Sequence, residues 1–438
     1  MTNISIVRTK AEEGFAAAFA EVADKLPGGA AVQSTRTAAI ESFQQKGLPH
    51  RRIEEWKYTD LRSAISDAAA PGSPSQSGDV DDTALDAALG SLAAIESDRM
   101  IFVDGVYQPG HSSVGDRSGL TVSSLASALD GERGAELLAL DANDDAVVAL
   151  NSAFAVDGAI ISVDDGAELD RPLVLVFART GNRSALITTR NVISVGRSTR
   201  ATILEVYVSL DGASGGQTNT LSQISVGDGA ELSHIKVGTE TGNTHLATWA
   251  ASVGKEADYR AFSYTADVDL ARNQVFAHYT GENAKVDISG AFLARGEQHI
   301  DNTLVVTHEV PGCESRELFK GVLDDKARGV FQGKVIVHPE AQKTDGKQMA
   351  QALMLSPDCE FDSKPELEIY ADDVACGHGS TCAELDPDLV FYCRSRGIPV
   401  ETARALLIES FIGEAIEQVD NESIAAALLD DARGWLAR

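Results

Sequence analysis

The chain is short of basic residues, and that shortage excludes more than any single motif. Only 37 Lys and Arg stand against 66 Asp and Glu, a formal charge of −29. An envelope of this sign repels phosphate backbones and anionic lipid heads, so neither nucleic acid nor membrane is an expected partner. Long apolar runs are missing too: nowhere do about 18 apolar residues follow one another, and MTNISIVRTKAEEGF has no basic stretch leading into an apolar one. We expect a cytoplasmic protein. Cysteine is scarce: Cys313, Cys359, Cys376, Cys382 and Cys393 are odd in number and form no Cys-x-x-Cys pair, which argues for reduced thiols.

Catalytic signatures are absent as well. GVFQGKV (Gly329 to Val335) has three residues between its glycines and Val where a phosphate loop places Ser or Thr on magnesium, so no ATP site is expected in this chain. His308-Glu309-Val310 lacks the second histidine of a zincin, no Gly-x-Ser-x-Gly elbow occurs, and no Gly-x-Gly-x-x-Gly opens a helix after a strand. Hydrolase, kinase and dehydrogenase readings lose their anchors.

What is present divides the 438 residues into three regions. Residues 1–98 read as helical: Ala11 to Leu26 and Ser34 to Gly47 place apolar side chains at three- and four-residue intervals. Ser34 is the candidate N-cap of the second helix and Gly47 its stop, with Pro49 beyond. A polar stretch, 71–82, reads as a flexible loop before a further short helix, Thr83 to Ile95. Residues 99–384 read as β: a hairpin at Ile101 to Gly110, then from Ala159 strands punctuated by Gly and Asp. Turns recur there in front of an alanine, at Ala167, Ala201, Ala230, Ala257 and Ala284, the last three 27 residues apart, with Cys313 following by 29. Evenly spaced short strands suit stacked coils, each covering the apolar face of the next, and favour a parallel β-helix over a β-sandwich. Residues 385–438 return to helix, with Asp386-Pro387 as N-cap and first residue, a longer helix from about Glu401 to Val419, and a last amphipathic piece from Ser423 to Leu436. The apolar residues of the middle helix cover more than one face, so it must be covered by its own core and a partner, or be wholly internal.

The one constellation that suggests chemistry is Cys376-Gly377-His378-Gly379. In extended chain, residues two apart point the same way, so thiol and imidazole can face one ligand, and the glycines leave the backbone open to approach. Both groups bind iron, sulfur favouring clusters, but two donors are too few and the rest must come from elsewhere. The competing reading is a half-buried thiol beside a hydrogen-bonded histidine. Cys382 and Cys393 read as small apolar fillers; Cys313 and Cys359 read as turn residues with possible exposure. His338 reads as a strand-end hydrogen bonder, and Glu309, Asp324 and Asp325 as solvated surface.

Three segments carry a resemblance. Gly47 to Arg62, containing EEWKYTD, the stretch from Phe319 to Ile398, and LLIESFIGEAIE (Leu406 to Glu417) together resemble the SufB/SufD family of iron-sulfur cluster assembly proteins, on its SufD branch. The resemblance implies a mostly β fold, a right-handed parallel β-helix flanked by N-terminal and C-terminal α-helical domains. It implies a non-catalytic scaffold that pairs with SufB through the β-helix ends, docks the SufC ATPase through its C-terminal helices, and contributes to iron acquisition. His378 and Cys376 become candidate ligands of a transient iron-sulfur cluster or iron at the partner interface; Leu406, Leu407, Phe411 and Ile412 become candidate docking residues. ATP-driven dimerisation of SufC would open that interface, and an isolated copy is expected to be able to form a homodimer. Within the family the alternative is a SufB-like cluster-bearing scaffold, expected to be longer at the front and richer in cysteine. Outside it stands a carbohydrate-active β-helix, a class usually exported and equipped with charged groove clusters.

Overall fold

The computed structural model describes residues 8–72, 80–115, 117–139, 145–181, 185–210, 212–213 and 215–438. Its centre is a parallel β-solenoid whose strands alternate between two sheets. The first sheet takes Ala159–Val163, Ala185–Val195, Gln217–Val226, Thr244–Val253, Leu270–Tyr279, His299–His308, Arg328–Val337 and Glu360–Ile369. The second takes Leu173–Arg179, Arg200–Ser209, Glu231–Gly238, Asp258–Ala266, Lys285–Ala294, Glu314–Leu323, Asp345–Met354 and Ala375–Ala383. Every one of these neighbouring pairs is parallel, which removes the sandwich alternative, a fold of antiparallel sheets. The expected hairpin at Ile101 to Gly110 forms from Asp98–Val103 and Val106–Tyr107 at the start of the second sheet.

The turn-then-alanine repeat has a backbone cause. Ser198, Gly229, Glu256, Asn283, Gly312 and Lys343 all adopt left-handed φ between 53° and 75°. Each is followed by a small buried residue: Thr199, Ala230, Ala257, Ala284, Cys313 and Thr344. The left-handed residue turns the chain sharply, and the next side chain meets the corner of the coil, where little volume is free. Thr199 takes this place instead of Ala201, because Arg200 pairs with Glu231 and Ala201 with Leu232. Inside the coils, aligned side chains stack at the strand spacing: Phe102 on Phe177 at 4.8 Å and Phe177 on Tyr207 at 4.7 Å between ring centroids.

Helices cover the outside of both sheets. Lys10–Val22, Ala30–Lys46 and Ala146–Phe154 share a core with Leu186 and Leu246 of the first sheet, with Phe15 edge-on to Phe43 and Phe19 edge-on to Phe154. Ala146–Phe154 is buried throughout and so lacks the amphipathic period that would have separated it from the β region. Ala30–Lys46 begins a turn before Ser34, after Gly29, where the Gln33 amide donates to the carbonyls of Leu26 and Gly28; it stops at Gly47 as expected. On the second sheet, Asp82–Leu89, Val400–Ile416 and Glu422–Ala437 bury Leu85, Ile412, Ile416 and Trp435 against Val206, Val237, Phe262 and Val322. The N-terminal region is thus divided between two faces of the solenoid. Of the stretch 71–82 expected to be a loop, residues 73–79 lie outside the described residues; Pro71 pairs with Leu186 and Asp82 begins a helix. No helix among the described residues is long and apolar enough to cross a membrane.

Candidate functional site at the open end of the solenoid

Cys376 and His378 lie on the last strand of the second sheet, Ala375–Ala383, whose outer edge has no neighbour among the described residues. Parallel register continues two interior files into this strand. One runs Leu232, Tyr259, Val286, Ser315, Gly346, Cys376; the other runs His234, Ala261, Ile288, Glu317, Gln348, His378. Leu232, Tyr259, Val286, Ala261 and Ile288 belong to the enclosed core and Cys376 packs against it, so both files face the interior. After Val286 and Ile288 both files carry polar residues or glycine to the end of the sheet, whereas the earlier polar member, His234, has partners in Glu205 and Tyr259. Thiol and imidazole share one face, as their spacing implied.

The surroundings leave the site incomplete. Burial pushes the Cys376 thiol above its usual range, with Asp345 and Glu317 adding to the rise against a backbone hydrogen bond from Gly346. A thiol held protonated this way becomes a ligand only when a metal or a partner's positive charge takes the proton's place. No three His, Cys, Asp or Glu side chains among the described residues converge into a metal set. At Gly377 an added Cβ would meet nothing within 4 Å, so the backbone is open as expected, whereas at Gly379 it would meet the Met349 side chain at 2.8 Å.

Beneath this pair the polar groups lack partners. Both carboxylate oxygens of Glu317, the Gln348 Oε1 and the Ser315 Oγ are buried without a hydrogen-bond partner among the described residues. Burial raises the Glu317 carboxyl to about 8; the nearby Ser315 hydroxyl holds the rise back without forming a well-shaped bond. Sequence reading missed these three, since no spacing motif marks them; strand register in two adjacent files brings them together.

Other expectations are corrected here. Cys313 and Cys359 are buried rather than exposed, Cys313 filling the alanine corner and Cys359 a small core with Leu323 and Ala352. Cys382 is an exposed residue of the terminal strand, not a filler, because the strand continues past Ser380 before the helix begins; Cys393 is half-buried. Among the candidate docking residues Ile412 is 0% exposed and enclosed by the chain itself, and Phe411 is half-buried beneath the Lys320 ammonium. Leu407 is half-buried and Leu406 exposed. The exposed apolar groups nearby are instead Leu389, Phe391 and Tyr392 of Pro387–Ser395, a helix with no buried residue.

EEWKYTD is a latch. The Arg272 guanidinium lies 3.8 Å from the Trp56 ring centroid, donates to the Glu55 carbonyl at 2.7 Å and pairs with Asp301, which also accepts from Thr59. Lys364 of the edge strand Glu360–Ile369 donates to Glu54 at 2.5 Å. The element ties the N-terminal region to the first sheet near its open end.

Fold and site together define a parallel β-solenoid whose last strand, without an outer neighbour among the described residues, carries a thiol and an imidazole on one face. The SufBD core domain of the SUF system for FeS cluster assembly matches residues 177–411, and the SufBD N-terminal region matches residues 9–175. Similar proteins include an iron-sulfur cluster assembly SufBD family protein of Synechocystis, 30% identical over 90% of this chain and 88% of its own. The iron-sulfur cluster assembly protein SufD of Escherichia coli is 30% identical over 89% and 90%, and the chloroplastic protein ABCI7 of Arabidopsis thaliana 26% identical over 92% and 86%. The chain belongs to the SufBD family of SUF iron-sulfur cluster assembly proteins, which displaces the carbohydrate-active alternative.

Proposed function

We propose that the chain is a non-catalytic scaffold subunit that pairs with a SufB-type partner through the open end of its solenoid. The single observation that carries this reading is the pair Cys376 and His378 on a terminal strand whose outer edge has no partner among the described residues. A parallel strand edge offers a row of free backbone groups to a second chain, and strand addition is a recurrent means of pairing. Iron or a nascent cluster is then cargo, held between Cys376, His378 and donors of the partner. The match to SUF assembly proteins supports this assignment over a free-standing enzyme.

A SufC-type ATPase docks on the C-terminal helices in the same reading, on the exposed face formed by Leu389, Phe391, Tyr392 and Leu406. An exposed apolar group of this kind marks a surface that a partner covers. Pairing with a second copy of this chain through the same end is the alternative occupant when the chain is alone.

The test is co-expression with SufB and SufC, comparing wild type with His378→Ala after anaerobic purification. We expect the complex to keep its size while cluster absorbance collapses. Unchanged absorbance in the variant would leave the cluster chemistry wholly on the partner and remove His378 from it.

A further inference from the structure

The polar files do not stop at Cys376 and His378. Two strand spacings further in, about 9–10 Å along the ladder, Glu317 presents a carboxyl to the interior, and Gln348 lies between it and His378. Both residues are 3% exposed. Beside them in the neighbouring file Ser315 faces Cys376 across Gly346, a position without a side chain. A Cβ at Gly346 would sit 3.3 Å from Ser315 Oγ and 3.6 Å from Cys376 Sγ. On the opposite wall, a Cβ at Gly333 would come within 2.7 Å of Gln348 Oε1, so that glycine also keeps space clear. Gly333 ends the GVFQG run that fails as a phosphate loop; it lies inside the strand Arg328–Val337.

Four oxygen atoms from three buried residues thus lie along one stretch of interior without hydrogen-bond partners among the described residues. Buried polar groups are ordinarily satisfied, and each one left alone destabilises the fold. Their chemistry is that of a hard cation's ligands: a carboxylate, an amide oxygen and a hydroxyl. We infer that Glu317, Gln348 and Ser315 form an inner subsite for a divalent iron ion, lying beneath Cys376 and His378 and reached past them from the open end. The Glu317 carboxyl releases its proton to solvent as the ion binds, and one carboxylate among neutral oxygens suits an ion that is held weakly and passed on. The inference rests on reading the open end as the place where iron is handled, and gives that reading an entry or waiting position within this chain.

The experiment is anaerobic equilibrium dialysis of the full chain against ferrous iron, with X-ray absorption of the loaded protein. Wild type should bind one ion per chain in an oxygen-dominated shell. Cys376→Ser with His378→Ala should retain that ion, whereas Glu317→Gln and Gln348→Met should each weaken it about tenfold or more, since ligand charge and number set the affinity of such sites. Circular dichroism melting checks that the variants fold, and Gln348→Met carries the test if Glu317→Gln does not. Wild-type affinity in folded Glu317→Gln and Gln348→Met, or no ion bound by wild type, overturns the subsite. Loss of the ion only in the Cys376/His378 double variant also overturns it while supporting the interfacial pair. Retention in the double variant, with cluster content unchanged in the His378→Ala complex, upholds the subsite and sinks the interfacial role.

Discussion

At the scale of the residue, Glu317 has a consequence for stability that needs no metal. Its carboxyl is held protonated in the folded chain up to about 8, while the unfolded chain releases that proton near the ordinary 4.5. Between those values the folded state binds more protons, so the contribution to stability is full below the lower value and is lost as pH rises through the upper one. Urea midpoints of metal-free wild type should therefore fall from pH 5 to pH 9 more than those of Glu317→Gln, and parallel pH profiles would show that the carboxyl is not buried as described. Trp56 gives a second test. It is 3% exposed beneath Arg272, and Trp56→Ala should destabilise by about 3–5 kcal/mol, as large aromatic truncations do; a urea midpoint near that of wild type would show the latch to be ornamental. The residues of EEWKYTD were visible in the sequence, as was the Cys376 and His378 pair. Their partners Arg272, Asp301, Glu317 and Gln348 were not, because ladder register and not sequence spacing brings them together.

At the scale of the element, the small residue after Ser198, Gly229, Glu256, Asn283, Gly312 and Lys343 is a packing constraint repeated coil by coil. Ala257 is 1% exposed in that corner, and Ala257→Leu should cost about 1–3 kcal/mol through overpacking; thermal melting checks it, and an unchanged midpoint would mean the corner has room. The helix Pro387–Ser395 is the opposite case, an element with nothing of its own to bury. Phe391→Asp, at a side chain 71% exposed, should leave the melting temperature within a degree or two of wild type, since exposed substitutions change stability by about 0.5 kcal/mol or less, and should abolish co-purification of a SufC-type ATPase. Retained co-purification would move the docking face elsewhere. The sequence pattern located all three C-terminal helices, yet ranked Ile412 with the docking residues. Hydrophobic period alone cannot separate a side chain that meets its own sheet from one that meets a partner.

At the scale of the whole molecule, the second sheet starts at a hairpin and ends at a strand with no outer neighbour among the described residues, and that open end is where thiol and imidazole lie. If nucleotide binding by docked ATPase subunits shifts the complex toward a state with that interface parted, the thiol of Cys376 should label faster with ATP than without. Equal labelling rates in the preformed complex would remove the gating mechanism. The sequence by itself determined the coil period, since a left-handed turn followed by a small residue leaves its mark wherever backbone reversal demands it. It also determined the helical ends, through Asp386, Pro387 and Gly47 at their caps, and the shared face of Cys376 and His378, through a two-residue spacing. Only the tertiary structure decided which faces the helices cover, that Cys313 is enclosed and Cys382 exposed, and that Ser315, Glu317 and Gln348 lie in line with Cys376 and His378. Those outcomes depend on which strands lie side by side, and neighbours in a solenoid are 26 to 32 residues apart in sequence, beyond the reach of any local pattern.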